Sequence, residues 1–192
     1  MFRLASKAVQ LVAVVALILV LSAATAVHAQ AVARLEITRN GRVLMDPTDP
    51  NSNVKGMPGL EILNWSTGMS MPILLTNIRE TAPIQWHGLT VNRYVDAVSI
   101  DLAQMVQKGE QATSIKLTIY KKTMDTYVFA PFAIYELESA YVTRHSFTAD
   151  EGSEREMETV QFIAEEIRYA VIDPVRKTRE EGGYNFAMAR AL

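Results

Sequence analysis

Few side chains in this sequence could do chemistry. Three histidines and no cysteine occur in 192 residues, which removes thiol catalysis, zinc–thiolate sites and a disulfide framework. His28 sits near the end of an apolar amino-terminal stretch, leaving His87 and His145 for the rest of the chain. A zinc or iron centre needs two or three histidines, or a carboxylate partner, at a readable spacing, and none is found, so no metal or cofactor is expected. No serine lies in a nucleophile-elbow pattern, and no catalytic residue or enzymatic activity is expected. The acidic pairs Glu165-Glu166 and Glu180-Glu181 could suggest general acid–base work. Neighbours on an extended strand point to opposite faces, however, so neither pair can act on one substrate, and both read as solvated surface. Gly182-Gly183 lacks the lysine and the strand-to-helix setting of a phosphate loop. Contact residues remain. Trp65 reads as a core residue at a strand bend or as an inter-subunit contact. Trp86, with Ile84 close by in a loop around Pro83 and Gly88, reads as exposed and as a candidate anchor for a neighbouring copy.

These residues need a scaffold, and composition bounds it. The formal charge is −2 and 49% of residues are apolar. Much of the apolar content lies in residues 1–29, which hold Arg3 and Lys7 but no acid. A short positive start, a run from Ala8 to Leu21 that is apolar except for Gln10, and small residues ending Val27-His28-Ala29 read as a secretory signal peptide, with the cut expected after Ala29. Residues 30–192 are then one exported domain, large enough to bury a single core without disulfides. Without the leader the charge is more negative, so no basic field recruits nucleic acid or anionic lipid, and the mature chain is not expected to be membrane-embedded.

Period-two patterning dominates the mature chain. Asn40-Gly41 between Leu35-Glu36-Ile37-Thr38 and Val43-Leu44-Met45 predicts a two-residue hairpin. Turn formers then crowd residues 46–59, and residues 77–88 are again irregular, so both read as surface loops. Between them Leu60 to Leu75 reads as strand, with Gly68 and Pro72 marking a bend or edge. Leu89, Val91, Arg93 and Val95 alternate as a strand would. Leu102, Met105 and Val106 switch to helical spacing, with Asp96 or Ser99 able to cap the start and Gly109 the end. Ile115, Leu117 and Ile119 resume the strand period. Strands are expected over residues 126–135, 137–147 and 157–171, then a charged linker at 176–181 and a last strand at 184–188. Many strands and one short helix predict a mostly antiparallel barrel or sandwich.

The order of these features resembles a known family. Leu60-Glu61-Ile62-Leu63-Asn64-Trp65-Ser66-Thr67-Gly68 is similar to the "I-x-(V/L)-x-S-W-S-x-G" strand of the Hcp family, the tube proteins of bacterial type VI secretion systems. Arg93-Tyr94-Val95-Asp96-Ala97-Val98-Ser99 resembles its "(K/R)-x-(V/I/L)-D-x-x-S" segment, and Glu158-Thr159-Val160-Gln161-Phe162 its "E-x-(V/I)-x-F" strand. Tyr135 to Tyr141 looks like the family's penultimate hairpin. The resemblance implies a compact antiparallel β-barrel with one flanking helix, hexameric rings that stack into a tube, a contractile sheath, and spike or effector proteins as partners. The leader departs from that pattern, since tube proteins of the family are assembled in the cytoplasm. It sets the ring-forming barrel apart from the injection role. The other reading is an exported binding module using loops 46–59 and 77–88.

Overall fold

The computed structural model describes residues 31–45, 53–54, 57–70, 84–122, 129–149, 155–173 and 175–192. The leader and most of the loops expected at 46–59 and 77–88 lie outside the described residues. In chain order the elements are β1 (Ala31–Arg39), β2 (Arg42–Leu44), β3 (Asn53–Val54), β4 (Met57–Pro58), β5 (Leu60–Ile62), β6 (Asn64–Ser70) and β7 (Gln85–Tyr94). Then come α1 (Val98–Lys108), β8 (Gln111–Lys122), β9 (Phe129–Thr148), β10 (Met157–Asp173), β11 (Thr178–Asn185) and β12 (Arg190–Ala191).

Ten strands form one antiparallel sheet in which β1, β8, β9, β10 and β7 are successive neighbours, with β11 and β12 continuing from β10. The path around the core returns to β1 through residues 60–70, which change partners. β5 pairs with β1, the Leu63 N–H donates to Asn92 O at 2.9 Å, and β6 pairs with β7. This handover, rather than a continuous ladder, gives the barrel-like β architecture expected from the sequence.

The core is the inward face of that path. Leu35, Ile37, Ile115, Leu117, Leu137, Val91, Val160 and Phe162 are fully enclosed. Each contributes roughly 1.5–3 kcal/mol of burial, so the sheet needs neither metal nor disulfide. Alternation explains the face: Leu35 and Ile37 on β1 pair directly with Leu117 and Ile115 on β8, while Glu36 faces away with Lys116. The hairpin falls where Asn40-Gly41 predicts it, both residues at positive φ, 50° and 75°. Gly68 marks a register shift between Thr67 and Met69, the bend expected there.

Three expectations are corrected. The break expected at residue 136 does not exist, so β9 is one 20-residue strand and residues 135–141 lie in its interior, not in a hairpin. No turn former interrupts that stretch; Ser139 takes φ 52° and absorbs the local irregularity within the ladder. Residues 178–181 are not linker but the first half of β11, because β10 offers its free edge to them despite their charge. Trp86 is not in a loop: β7 already begins at Gln85 and pairs Trp86 with Met69.

Candidate functional site

The β7–β10 pair holds a buried charge cluster that composition could not reveal. Glu158 on β10 has no exposed surface. Its Oε1 accepts from Arg93 Nη1 at 2.6 Å, and its Oε2 lies 2.6 Å from His145 Nε2. Arg93 also pairs with Asp96. Asp96 in turn opens α1: its Oδ1 accepts the Val98 N–H at 2.9 Å, and its own N–H donates to Ser99 Oγ at 3.0 Å. Such reciprocal capping meets helix-start donors that would otherwise lack partners. The "R-x-x-D-x-x-S" and "E-x-(V/I)-x-F" patterns therefore meet in space, one supplying the cation and helix cap, the other the buried carboxylate.

The far end of α1 is closed differently. Gly109, at φ 60°, donates its N–H to Val106 O, and Glu110 N–H reaches Met105 O at 2.9 Å, a Schellman ending. Arg39, at the tip of β1, donates from Nε to Glu110 Oε1 at 2.8 Å and from Nη1 to Asp101 Oδ1 at 3.2 Å. That hydrogen bond from Arg39 holds the Glu110 carboxyl below its usual range, and Arg39 itself is raised by the same bond. The hairpin and both ends of the helix are thus tied to the sheet by named charges.

The sequence-predicted contact residues are placed apart. Trp65 on β6 is partly buried, pairs with Val91 and packs on the core. Trp86 lies where β10 changes partners: β7 ends its pairing at Phe162, and the Phe186 N–H donates to Glu165 O at 2.8 Å just beyond. The Trp86 and Phe186 rings stack across this seam, centroids 5.5 Å apart and 11° from parallel, and Trp86 Nε1 donates to Thr67 Oγ1 at 2.9 Å. One indole face is therefore occupied within the chain, contrary to an exposed loop aromatic. Ile84 precedes β7 and is half-buried. His87 contacts Ser70 Oγ at 3.0 Å. Glu166 is not free surface, since Asn185 Nδ2 and Arg168 Nε both donate to it, at 3.0 and 2.7 Å, and hold its carboxyl low. Glu165, its neighbour, is exposed, as the strand alternation requires.

The outer sheet face carries a row of alternating charge. Glu36, Lys116, Glu136 and Arg168 are successive cross-strand partners on β1, β8, β9 and β10. Lys116 and Glu136 are 3.3 Å apart. Opposite charges in register fix strand order on a face that apolar packing does not specify.

A family model described as "Type VI secretion system effector, Hcp" matches residues 52–171. The chain belongs to the Hcp family. Solved Hcp structures align along nearly their whole length. A type six secretion system protein superposes at TM-score 0.68 with 18% identity, over 85% of this chain and 100% of that one. Hcp1 of E. coli EAEC 042 gives 0.67 and 16%, over 81% and 98%. Hcp1 of Salmonella typhimurium gives 0.61 and 16%, over 84% and 99%. A search of curated protein sequences gives no match. At these identities the structural likeness establishes the fold, and this Hcp chain has the family's β-rich architecture, with one helix among its described residues. No helix among its described residues is long and apolar enough to cross a membrane.

Proposed function

We propose that the mature Hcp chain is a non-enzymatic structural subunit that assembles with itself into hexameric rings able to stack into a tube and hold effector proteins. The observation that carries this reading is the family match over residues 52–171 on a chain whose described part superposes on complete solved Hcp chains. A ring requires two different, complementary surfaces on each copy, a heterologous contact that closes. The two ends of the ten-stranded sheet are unlike, short β2 at one and β11 with β12 at the other, and so can supply such a pair. Trp65, Trp86 and Ile84 are proposed as ring-stacking or subunit contacts of that assembly. Residues 1–29 are proposed as a signal peptide that exports the chain, with residues 30–192 as the working domain.

Two experiments test the proposal. Light scattering of the purified protein at micromolar concentration is expected to give a mass of several protomers, and a monomer would refute assembly. Mass spectrometry of the protein expressed from the full chain is expected to show an amino terminus at Gln30, and a retained Met1 would refute cleavage.

A further inference from the structure

One stretch of the sheet is held far less tightly than the strand it lies on. Among the described residues, none from 175 to 192 is buried, whereas β10 buries Val160, Phe162, Ile167 and Ala170. The ladder partners of β11 are β10 and the two-residue β12. Local opening is least costly where apolar contacts are few and backbone hydrogen bonds face solvent. Gly182 and Gly183 fall inside β11, where glycine weakens a strand. A Cβ at Gly183 would lie 2.8 Å from Ile167 O, so β11 lies flat on β10 only because that side chain is missing.

The side-chain ties of this segment gather at its two ends. At the start, Asp173 Oδ1 accepts the Val175 and Arg176 N–H groups at 2.9 and 3.0 Å and shapes the turn out of β10, where Lys177 takes φ 55°. At the far end Phe186 stacks on Trp86, Tyr184 lies against Phe186 with centroids 5.0 Å apart, and Asn185 Nδ2 donates to Glu166 Oε2. Tyr184 and Phe186 are the residues of the segment that pack against the core. Between the ends, Arg179, Glu180 and Glu181 are exposed. β9 fills one edge of β10 along its length, so β7 and β11 lie end to end on the other, and the Phe186 stack spans their junction.

We propose that residues 178–191 are a strap, hinged at the Asp173 turn and latched by Phe186 on Trp86, that opens as a unit while the rest of the sheet stays folded. Closed, it covers the edge of β10 from Glu166 to Asp173 and turns Arg179, Glu180 and Glu181 outward. Charges on an outermost strand discourage other strands from adding to the sheet. Open, it bares that eight-residue stretch of β10 and the indole face on which Phe186 lies. The strap is thus a conformational switch over a sheet edge, whether or not the chain assembles.

Hydrogen–deuterium exchange of protein expressed from the complete chain tests this, at the lowest concentration that gives a signal and in denaturant below the unfolding transition. Hydrogen-bonded amides of residues 178–186 are expected to exchange at least about tenfold faster than those of residues 157–162, where β10 meets β7, and with little dependence on denaturant. Phe186→Ala is expected to speed the strap by about tenfold more, while exchange at 157–162 and the melting temperature stay near the parent's. Glu166→Cys with Asn185→Cys joins direct cross-strand partners in a chain that has no other cysteine. Once oxidised, that pair is expected to slow the strap to the rate of residues 157–162, and reduction to release it again. Parent amides at 178–186 that exchange as slowly as those at 157–162 overturn the strap. So does Phe186→Ala speeding both regions equally, or an oxidised pair exchanging as fast as its reduced form. If either variant fails to fold, the parent comparison decides alone.

Discussion

Glu158 is the residue on which most of the interior polarity depends. It answers Arg93 and His145 at once, and Arg93 extends the cluster to the helix cap at Asp96. Removing one member of such a buried set leaves an uncompensated charge, so Glu158→Ala is expected to lose about 3–5 kcal/mol of stability. Urea denaturation read by tryptophan fluorescence measures it. An unchanged midpoint would show that the cluster is not structural. At the surface, Glu110 and Glu166 are held below their ordinary range, chiefly by hydrogen bonds from Arg39 and Asn185 respectively. A carboxylate with a depressed folded-state pKa stabilises fully above its unfolded value, near pH 4.3, and that contribution is lost as pH falls through the lower folded value. The melting temperature is therefore expected to be independent of these two groups from neutrality to about pH 5 and to fall below about pH 4. In Arg39→Met, which frees Glu110, the acid-side fall is expected to be shallower; an identical slope would contradict the assignment.

At the scale of elements, the glycines separate conformation from space. Gly109 needs its left-handed φ but has nothing within 4 Å of an added Cβ, whereas Gly88 combines φ 84° with a Cβ position 2.6 Å from Phe162 O. Gly109→Ala is expected to cost about 1 kcal/mol and Gly88→Ala distinctly more, because backbone of β10 must move. Thermal melts of the two variants check the order. Elements governed by local rules were legible: the Asn40-Gly41 hairpin, the Asp96 cap, the Gly109 ending and the alternation of Ile115, Leu117 and Ile119 follow from neighbours along the chain. What long-range pairing decides was not. Thr178 to Glu181 is too charged to look like strand and becomes one only because β10 has an edge to fill. Trp86 reads as a loop residue until Phe186, a hundred positions on, stacks against it. The Arg93 and Glu158 patterns were visible as text, but only the register of β7 against β10, Glu158 opposite Arg93, makes them one site.

For the whole molecule, the sheet sets both the core and the edges. Its inner face buries the core, while β10 outruns β7 and carries β11 and β12 beyond that pairing. The two unlike ends of the sheet path, β2 at one and β11 with β12 at the other, fit the structural, self-associating role proposed for this Hcp chain. On the proposal that residues 1–29 are a cleaved export signal, assembly is expected after passage out of the cytoplasm. Negative-stain electron microscopy of the processed protein, residues 30–192, tests the central claim most directly. Closed rings of uniform diameter, single or stacked, are the predicted result, and a field of discrete particles of monomer size at high micromolar concentration would contradict it.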